Sequence, residues 1–274
     1  MAYKMTTIPK SLLPLVSNKF EIGIPKIIHQ TYKSVEQIPG CWKDSPNSWI
    51  SNHPTWTYKF WSDADCRKLV NKYFPKFLPV FDGYKHNIQR ADAIRPILMY
   101  VYGGWYCDMD IACKKPIDDL FYNVSDECYL ILTPNTQTIT NCIMASKPKC
   151  QFWLKVIDEM SERFYSPRFY WVGKHIEVMQ TTGPMMLHTV YHRYKNNYKI
   201  GMLFKEYLLP SECSSCSKKP CSNPLSYTVL LEGSSWCDLD SKIYNIFLCN
   251  WLRIVLCGVL IMFLYVSVCS VKYA

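Results

Sequence analysis

The stretch that most constrains this chain is residues 90–116, RADAIRPILMYVYGGWYCDMDIACKKP. It predicts a helix that stops at Gly103-Gly104, where a left-handed terminator is available. A buried strand over Trp105, Tyr106 and Cys107 should follow, since these residues are apolar or aromatic. Its last residues would deliver Asp108 and Asp110 to the edge of a sheet. Asp92, Arg95 and Met99 fall at i, i+3 and i+7 and share one side of the helix. Pro96 disfavours the helical region at Arg95, which allows a kink or a later helix start.

In an extended chain Asp108 and Asp110, two residues apart, present both carboxylates on one face. Like charges that close raise each other's pKa unless a cation lies between them. The cation expected for such oxygens is hard, Mn²⁺ or Mg²⁺, with positions left for phosphate oxygens. Arg95, Lys114 and Lys115 would surround the spot with positive charge. The spacing alone is equally that of solvated turn residues. Two other Asp-x-Asp chemistries are excluded by neighbouring letters. An EF-hand loop beginning at Asp108 needs Gly and Glu where Cys113 and Asp119 stand, and an aspartyl-phosphate phosphatase needs a hydroxyl residue where Ala112 stands.

The combination is more specific than the pair. IPKIIHQTYK at residues 24–33, RADAIRPILMYVYGGWYCDMDI at 90–111, TTGP at 181–184 and EGSSW at 232–236 together resemble the Asp-x-Asp sugar transferases of glycosyltransferase family 32. That family includes the fungal initiating α-1,6-mannosyltransferases and the mannosyltransferases of inositol phosphoceramide, and the clostridial glucosylating toxins look like more distant relatives. The likeness covers most of residues 24–240.

The resemblance implies a GT-A-type, Rossmann-like α/β/α sandwich and hexose transfer, with retention, from a nucleotide-sugar donor to a glycan or glycolipid acceptor. Mannose from GDP-mannose is the donor first implied. His29, Gln30, Thr31 and Tyr32 would lie close to the nucleotide, and Asp92 and Arg95 would hold the donor hexose. Asp108 and Asp110 would hold Mn²⁺ or Mg²⁺. Gly183, within Thr181-Thr182-Gly183-Pro184, could offer backbone N–H groups to the ligand, although a plain helix start reads equally well. Glu232, Ser235 and Trp236 would close the site. Many family members carry histidine near Glu232, so this acidic residue resembles the toxin version and could be a third metal ligand. The rival expectation is a catalytically silent scaffold protein on the same fold, against which Asp92, Arg95, Asp108 and Asp110 argue.

Composition sets the remaining bounds. Of 274 residues, 49% are hydrophobic and 19% charged, which excludes disorder over most of the chain. The formal charge of +9 suits an anionic partner. No basic run or nucleic-acid-reading motif is present, so nucleic acid is not expected. Most of the 14 cysteines, Cys107, Cys128 and Cys142 among them, sit singly in apolar runs and read as buried thiols. Cys213, Cys216, Cys221 and Cys237 lack a second regular Cys-x-x-Cys pair, which argues against zinc and leaves disulfides open. The sequon Asn123-Val124-Ser125 matters only for a lumenal domain.

In chain order, residues 1–20 read as a surface arm and 21–240 as the catalytic domain. Strands are expected at 26–32 and 56–61, and Ser62 opens a capping box before a helix through Tyr73. Further strands are expected at 129–132, 142–145 and 228–231, and an amphipathic helix at 151–164. Pro184 starts a helix on which His188 and His192 share a packed or solvated face. Residues 211–224 read as an irregular loop, 241–250 as a linker and 251–271 as a transmembrane helix. Its apolar core, 254–271, carries no charge, at ~1.5 Å per residue nearly crosses a hydrocarbon layer of ~30 Å, and is flanked by Trp251, Arg253, Lys272 and Tyr273. The expected location is a secretory membrane of Golgi or ER type. The sequence leaves open which side the catalytic domain faces: an N-terminal signal is not evident, whereas the family works in the lumen.

Overall fold

The structure is a computed structural model describing residues 23–121, 125–132, 138–166, 173–203, 208, 224–231, 236 and 238–272, without the side chains of 248, 251–254, 258, 260 and 263–272. Its strands are β1 (Ile27–Thr31), β2 (Thr57–Trp61), β3 (Gly104–Cys107), β4 (Ile111–Cys113), β5 (Cys128–Leu132), β6 (Ile139–Ser146), β7 (Ile200–Leu203) and β8 (Thr228–Leu230). The helices are α1 (Ser45–Asn52), α2 (Asp63–Tyr73), α3 (Leu78–Gly83), α4 (Asn87–Val101), α5 (Phe152–Tyr165), α6 (Lys174–Thr181), α7 (Pro184–Tyr194) and α8 (Leu239–Lys272).

Six strands form one sheet in the order β2-β1-β3-β6-β5-β7, and β4 and β8 form a small second sheet. Within the large sheet β6 runs antiparallel to both neighbours, while the other pairings are parallel. This parallel-rich α/β arrangement is the expected fold class. The pleat sorts side chains between two cores. Trp105 and Cys107 of β3 point into a cluster with Trp49 of α1, whereas Tyr106 points into the cluster built with α2, α3, α4, α5 and α7.

Local signals explain several elements. Ser62 caps α2, accepting from the Asp65 N–H at 3.2 Å while Asp65 reaches back to the Ser62 N–H, and the helix ends at Tyr73 as predicted. Helix α4 runs unbroken through Pro96. It ends where Gly103 and Gly104 take φ +64° and +88°, and a Cβ on Gly104 would lie 2.5 Å from the Ile27 carbonyl oxygen. These glycines therefore let β3 lie directly against β1. Pro184 is the first residue of α7. The cysteines Cys107, Cys128 and Cys142 are free.

The C-terminal part departs from one expectation and leaves another without support. Residues 241–250 are not a linker but belong to α8, whose first turns pack on α6. Segment 254–271 continues that helix, yet among the described residues no helix is long and apolar enough to cross a membrane. The sequon, the 211–224 loop (except Pro224) and Cys213, Cys216, Cys221 and Cys237 fall outside the described residues, Ser125 apart.

Candidate active site

A cavity of about 580 Å³ opens where β1 and β3 end, and Thr31, Asp92, Arg95, Asp108 and Asp110 line it. The carboxyl edge of parallel strands is where ligands bind in sheets of this kind. The antiparallel strand β6 enters from the same edge and adds Thr140 and Asn141 to the lining.

Arg95 is the hub. Its Nη1 lies 2.7 Å from Asp92 Oδ1 and its Nη2 2.8 Å from Asp108 Oδ1, so one guanidinium joins two carboxylates. Its Nε donates to the Tyr106 hydroxyl at 2.9 Å, and that hydroxyl donates to Asp108 Oδ1 at 2.8 Å. Asp92 also accepts from Asn141 Nδ2 at 3.0 Å and from the Thr182 hydroxyl at 3.1 Å. Burial raises the Asp92 carboxyl to about 6, against the pull of Arg95. Burial also opposes the charge on Arg95, but the carboxylates around it, Asp108 first, hold its pKa above the usual value.

The two acids of the Asp-x-Asp pair are not on an extended strand. Strand β3 stops at Cys107, and the Ile111 N–H donates to the Asp108 carbonyl at 3.1 Å, which closes a turn over 108–111. The strand reading fails because β4 belongs to a different sheet, so the chain must change direction between them. The turn is braced from behind. Gln30 Nε2 donates to the Asp108 carbonyl at 3.0 Å, and Ser45 and Trp49 of α1 each donate to the Ile111 carbonyl at 2.8 Å.

Asp110 stands apart from the Arg95 ion pairs. Burial, and then the charge of Asp108, push its carboxyl up to about 7. Three carboxylates thus face one guanidinium, an excess of negative charge that a divalent cation would relieve. Oδ1 of Asp108 serves the network, leaving Oδ2 and the Asp110 carboxylate as the oxygen donors that fit a hard cation. Among the described residues no three His, Cys, Asp or Glu side chains group as metal ligands. Glu232 and Ser235 lie outside the described residues.

The residues expected near a nucleotide divide. Thr31 and Tyr32 line the cavity. His29 and Gln30 are fully buried behind it. His29 bonds the Gly103 carbonyl at 2.9 Å and accepts from the Trp61 indole at 3.0 Å. Burial lowers its pKa to about 3, so it is neutral. Gly183 gives its N–H to the Val178 carbonyl at 2.9 Å and closes α6 instead of facing a ligand. Trp236 lines the cavity. His188 and His192 pack ring to ring at 4.4 Å, and His188 accepts from the Ile139 N–H at 3.3 Å.

Lys114 and Lys115 do not line the cavity, and Lys115 sits 4.2 Å over the Tyr227 ring. Besides Arg95, the basic lining comes from Lys33, Lys85, Arg90 and Lys174. Sequence reasoning missed these and Asn141. Lys33 and Arg90 alone lay within recognised stretches, at the end of one and the start of another, and Asn141 stands 49 residues from the carboxylate it meets.

Residues 39–128 match the family model described as a glycosyltransferase sugar-binding region containing a DXD motif. The central region is thus similar to that of the Asp-x-Asp glycosyltransferases. The chain is 33% identical over 225 residues to inositol phosphoceramide mannosyltransferase 2 of Schizosaccharomyces pombe, covering 80% of this chain and 60% of that protein. It is 36% identical over 172 residues to mannosyl phosphorylinositol ceramide synthase SUR1 of Saccharomyces cerevisiae, covering 63% of this chain and 43% of that protein. The chain therefore spans less than two thirds of the length of either relative. The ligand-free glycosyltransferase domain of the YGT toxin shares the fold with TM-score 0.51 and 8% identity, over 66% of this chain and 80% of that one.

Proposed function

We propose that this chain is a membrane-anchored, metal-dependent, retaining glycosyltransferase that moves mannose from GDP-mannose to a hydroxyl of a glycan or glycolipid. The observation that carries the reading is the excess carboxylate at the cavity floor, where Asp92 and Asp108 share the guanidinium of Arg95 and Asp110 adds a third acid outside that pairing. The acceptor class is taken from the two relatives, whose names are those of mannosyl transfer to inositol phosphoceramide.

Asp110 and Oδ2 of Asp108 would hold Mn²⁺ or Mg²⁺, with Glu232 a candidate third ligand. The ion supplies Lewis-acid and electrostatic stabilisation of the charge that grows on the leaving diphosphate. Arg95 fixes Asp108 and Asp92, and Asp92 and Arg95 present polar groups to the donor hexose. Thr31 and Tyr32 flank the nucleotide, while His29 and Gln30 act from behind by holding Gly103 and the 108–111 turn. Trp236 closes the donor side, and Ser235 would act with it. The acceptor hydroxyl attacks from the face the leaving group occupies, and its proton passes to the departing diphosphate.

The anchor is residues 254–271. In α8 the side chains of Val255, Leu256, Val259, Ile261 and Met262 are exposed, a run of apolar surface that a bilayer would cover. We place the protein on a secretory membrane.

Replacing Asp110 by Asn keeps the shape and removes the charge. Donor turnover, read as mannose release from GDP-mannose with Mn²⁺, should fall by at least about 10²-fold with the thermal midpoint held. Full activity in this variant would remove the proposal.

A further inference from the structure

Helix α6 lacks a cap of its own. Its N-cap position is Gly173, at φ +102°, which has no side chain to accept the first free N–H groups of the helix. The missing acceptor comes from far along the chain. Asp240, in the first turn of α8, accepts from the His175 N–H through Oδ2 at 2.7 Å, while its Oδ1 accepts from the Ser241 N–H at 2.7 Å. A carboxylate at this end also complements the helix dipole.

The same turn of α8 fixes the His175 ring. Ser241 Oγ lies 3.0 Å from Nδ1, and the Tyr244 ring is 4.6 Å away on one side. The Trp236 indole stacks on His175 at 5.3 Å with only 13° between the planes. Beside it, Lys174 Nζ donates to the Trp236 carbonyl at 3.0 Å and to Asp238 Oδ2 at 2.7 Å. Trp236 and Lys174 both line the cavity. One carboxylate is therefore linked, through the His175 backbone and then its ring, to the indole on the cavity wall.

We propose that Asp240 and His175 are positioning residues for the donor site: the first turn of α8 caps α6 and thereby seats Trp236 against the bound nucleotide sugar. The assignment rests on the reading of the cavity as a nucleotide-sugar site. It joins the C-terminal helix to donor binding, so whatever holds α8 also shapes the pocket.

The test uses the full chain in detergent and two readouts. In protein carrying 5-fluorotryptophan, the ¹⁹F signal of Trp236, identified by its loss in Trp236→Phe, should shift or broaden in Asp240→Ala with no ligand present. It should return in Asp240→Asn, which keeps an oxygen to accept the His175 N–H. With GDP and Mn²⁺, Asp240→Ala should weaken binding about 2- to 10-fold, the scale of one misplaced stacked ring, and should raise the donor KM with kcat little changed. His175→Phe, which keeps the ring and loses the Ser241 bond, should fall between. Combining Asp240→Ala with Trp236→Ala should cost no more than Trp236→Ala alone. An unmoved ¹⁹F signal, or effects that add in full, would overturn the assignment. If the wild-type protein binds no nucleotide, the transferase reading falls, and the ¹⁹F comparison still decides whether Asp240 seats Trp236. Thermal midpoints separate loss of seating from loss of fold, and His175→Phe, which breaks the Ser241 bond, carries the test if Asp240→Ala does not fold.

Discussion

The cavity has two walls built to different standards. One, made by β1, β3, α4 and the 108–111 turn, is deeply buried, and its Asp92 and Asp108 are locked to one another through Arg95. The other, made by α6, Trp236 and the start of α8, is held by few bonds, several at the surface: the Lys174–Asp238 pair leaves Asp238 61% exposed. Exposed pairs are worth little and open readily, whereas a buried hub opens only at the cost of stranding charges. The stiff wall is suited to hold reacting groups in place and the loose one to let substrate in and out.

The contrast can be broken by mutation, and the largest effect belongs to the stiff wall. Arg95→Ala leaves Asp92 and Asp108 buried without their cation, and chemical denaturation should show a loss of about 3–5 kcal/mol. Adding Asp92→Asn should recover part of that loss, and no recovery would mean the hub acts by packing alone.

His29 comes next. Its folded pKa is about 3 against 6.5 unfolded, so it contributes stability above pH 6.5 that is lost as the pH falls toward 3. At pH 5 that loss is about 2 kcal/mol. A His29→Asn variant should lose that share of the pH dependence in urea melts, and an unchanged slope would refute it.

On the loose wall, Lys174→Ala should change stability by only about 0.2–1 kcal/mol while raising the donor KM. A stability loss as large as that of Arg95→Ala would erase the difference between the walls. Smallest of all, Lys115→Ala should stay within about 0.5 kcal/mol and leave donor kinetics alone, because Lys115 lies over Tyr227 and outside the cavity.

How much the letters show depends on how far apart the partners are. The Ser62 box, the Gly103-Gly104 stop, Pro184 at a helix start and the Asp92–Arg95 pair are contacts within four residues or backbone requirements of one position, and all are legible. Helices α1 and α3 were not, since at 8 and 6 residues each is too short to show a helical period. The 108–111 turn was missed because its direction is set by Gln30, Ser45 and Trp49, from 62 to 81 residues away. His29 and Gln30 carried the family's pattern, but only the register of β1 against β3 shows that they face inward.

Pro96 has one further effect. It has no N–H to give to the Asp92 carbonyl, so one rung of α4 is missing directly above the residue that bears a key carboxylate. The Asp92–Arg95 pair spans that gap along the helix surface and splints it from outside. The same ionic bond that organises the pocket is thus a mechanical repair, and amide exchange around residues 92–96 should quicken when it is cut.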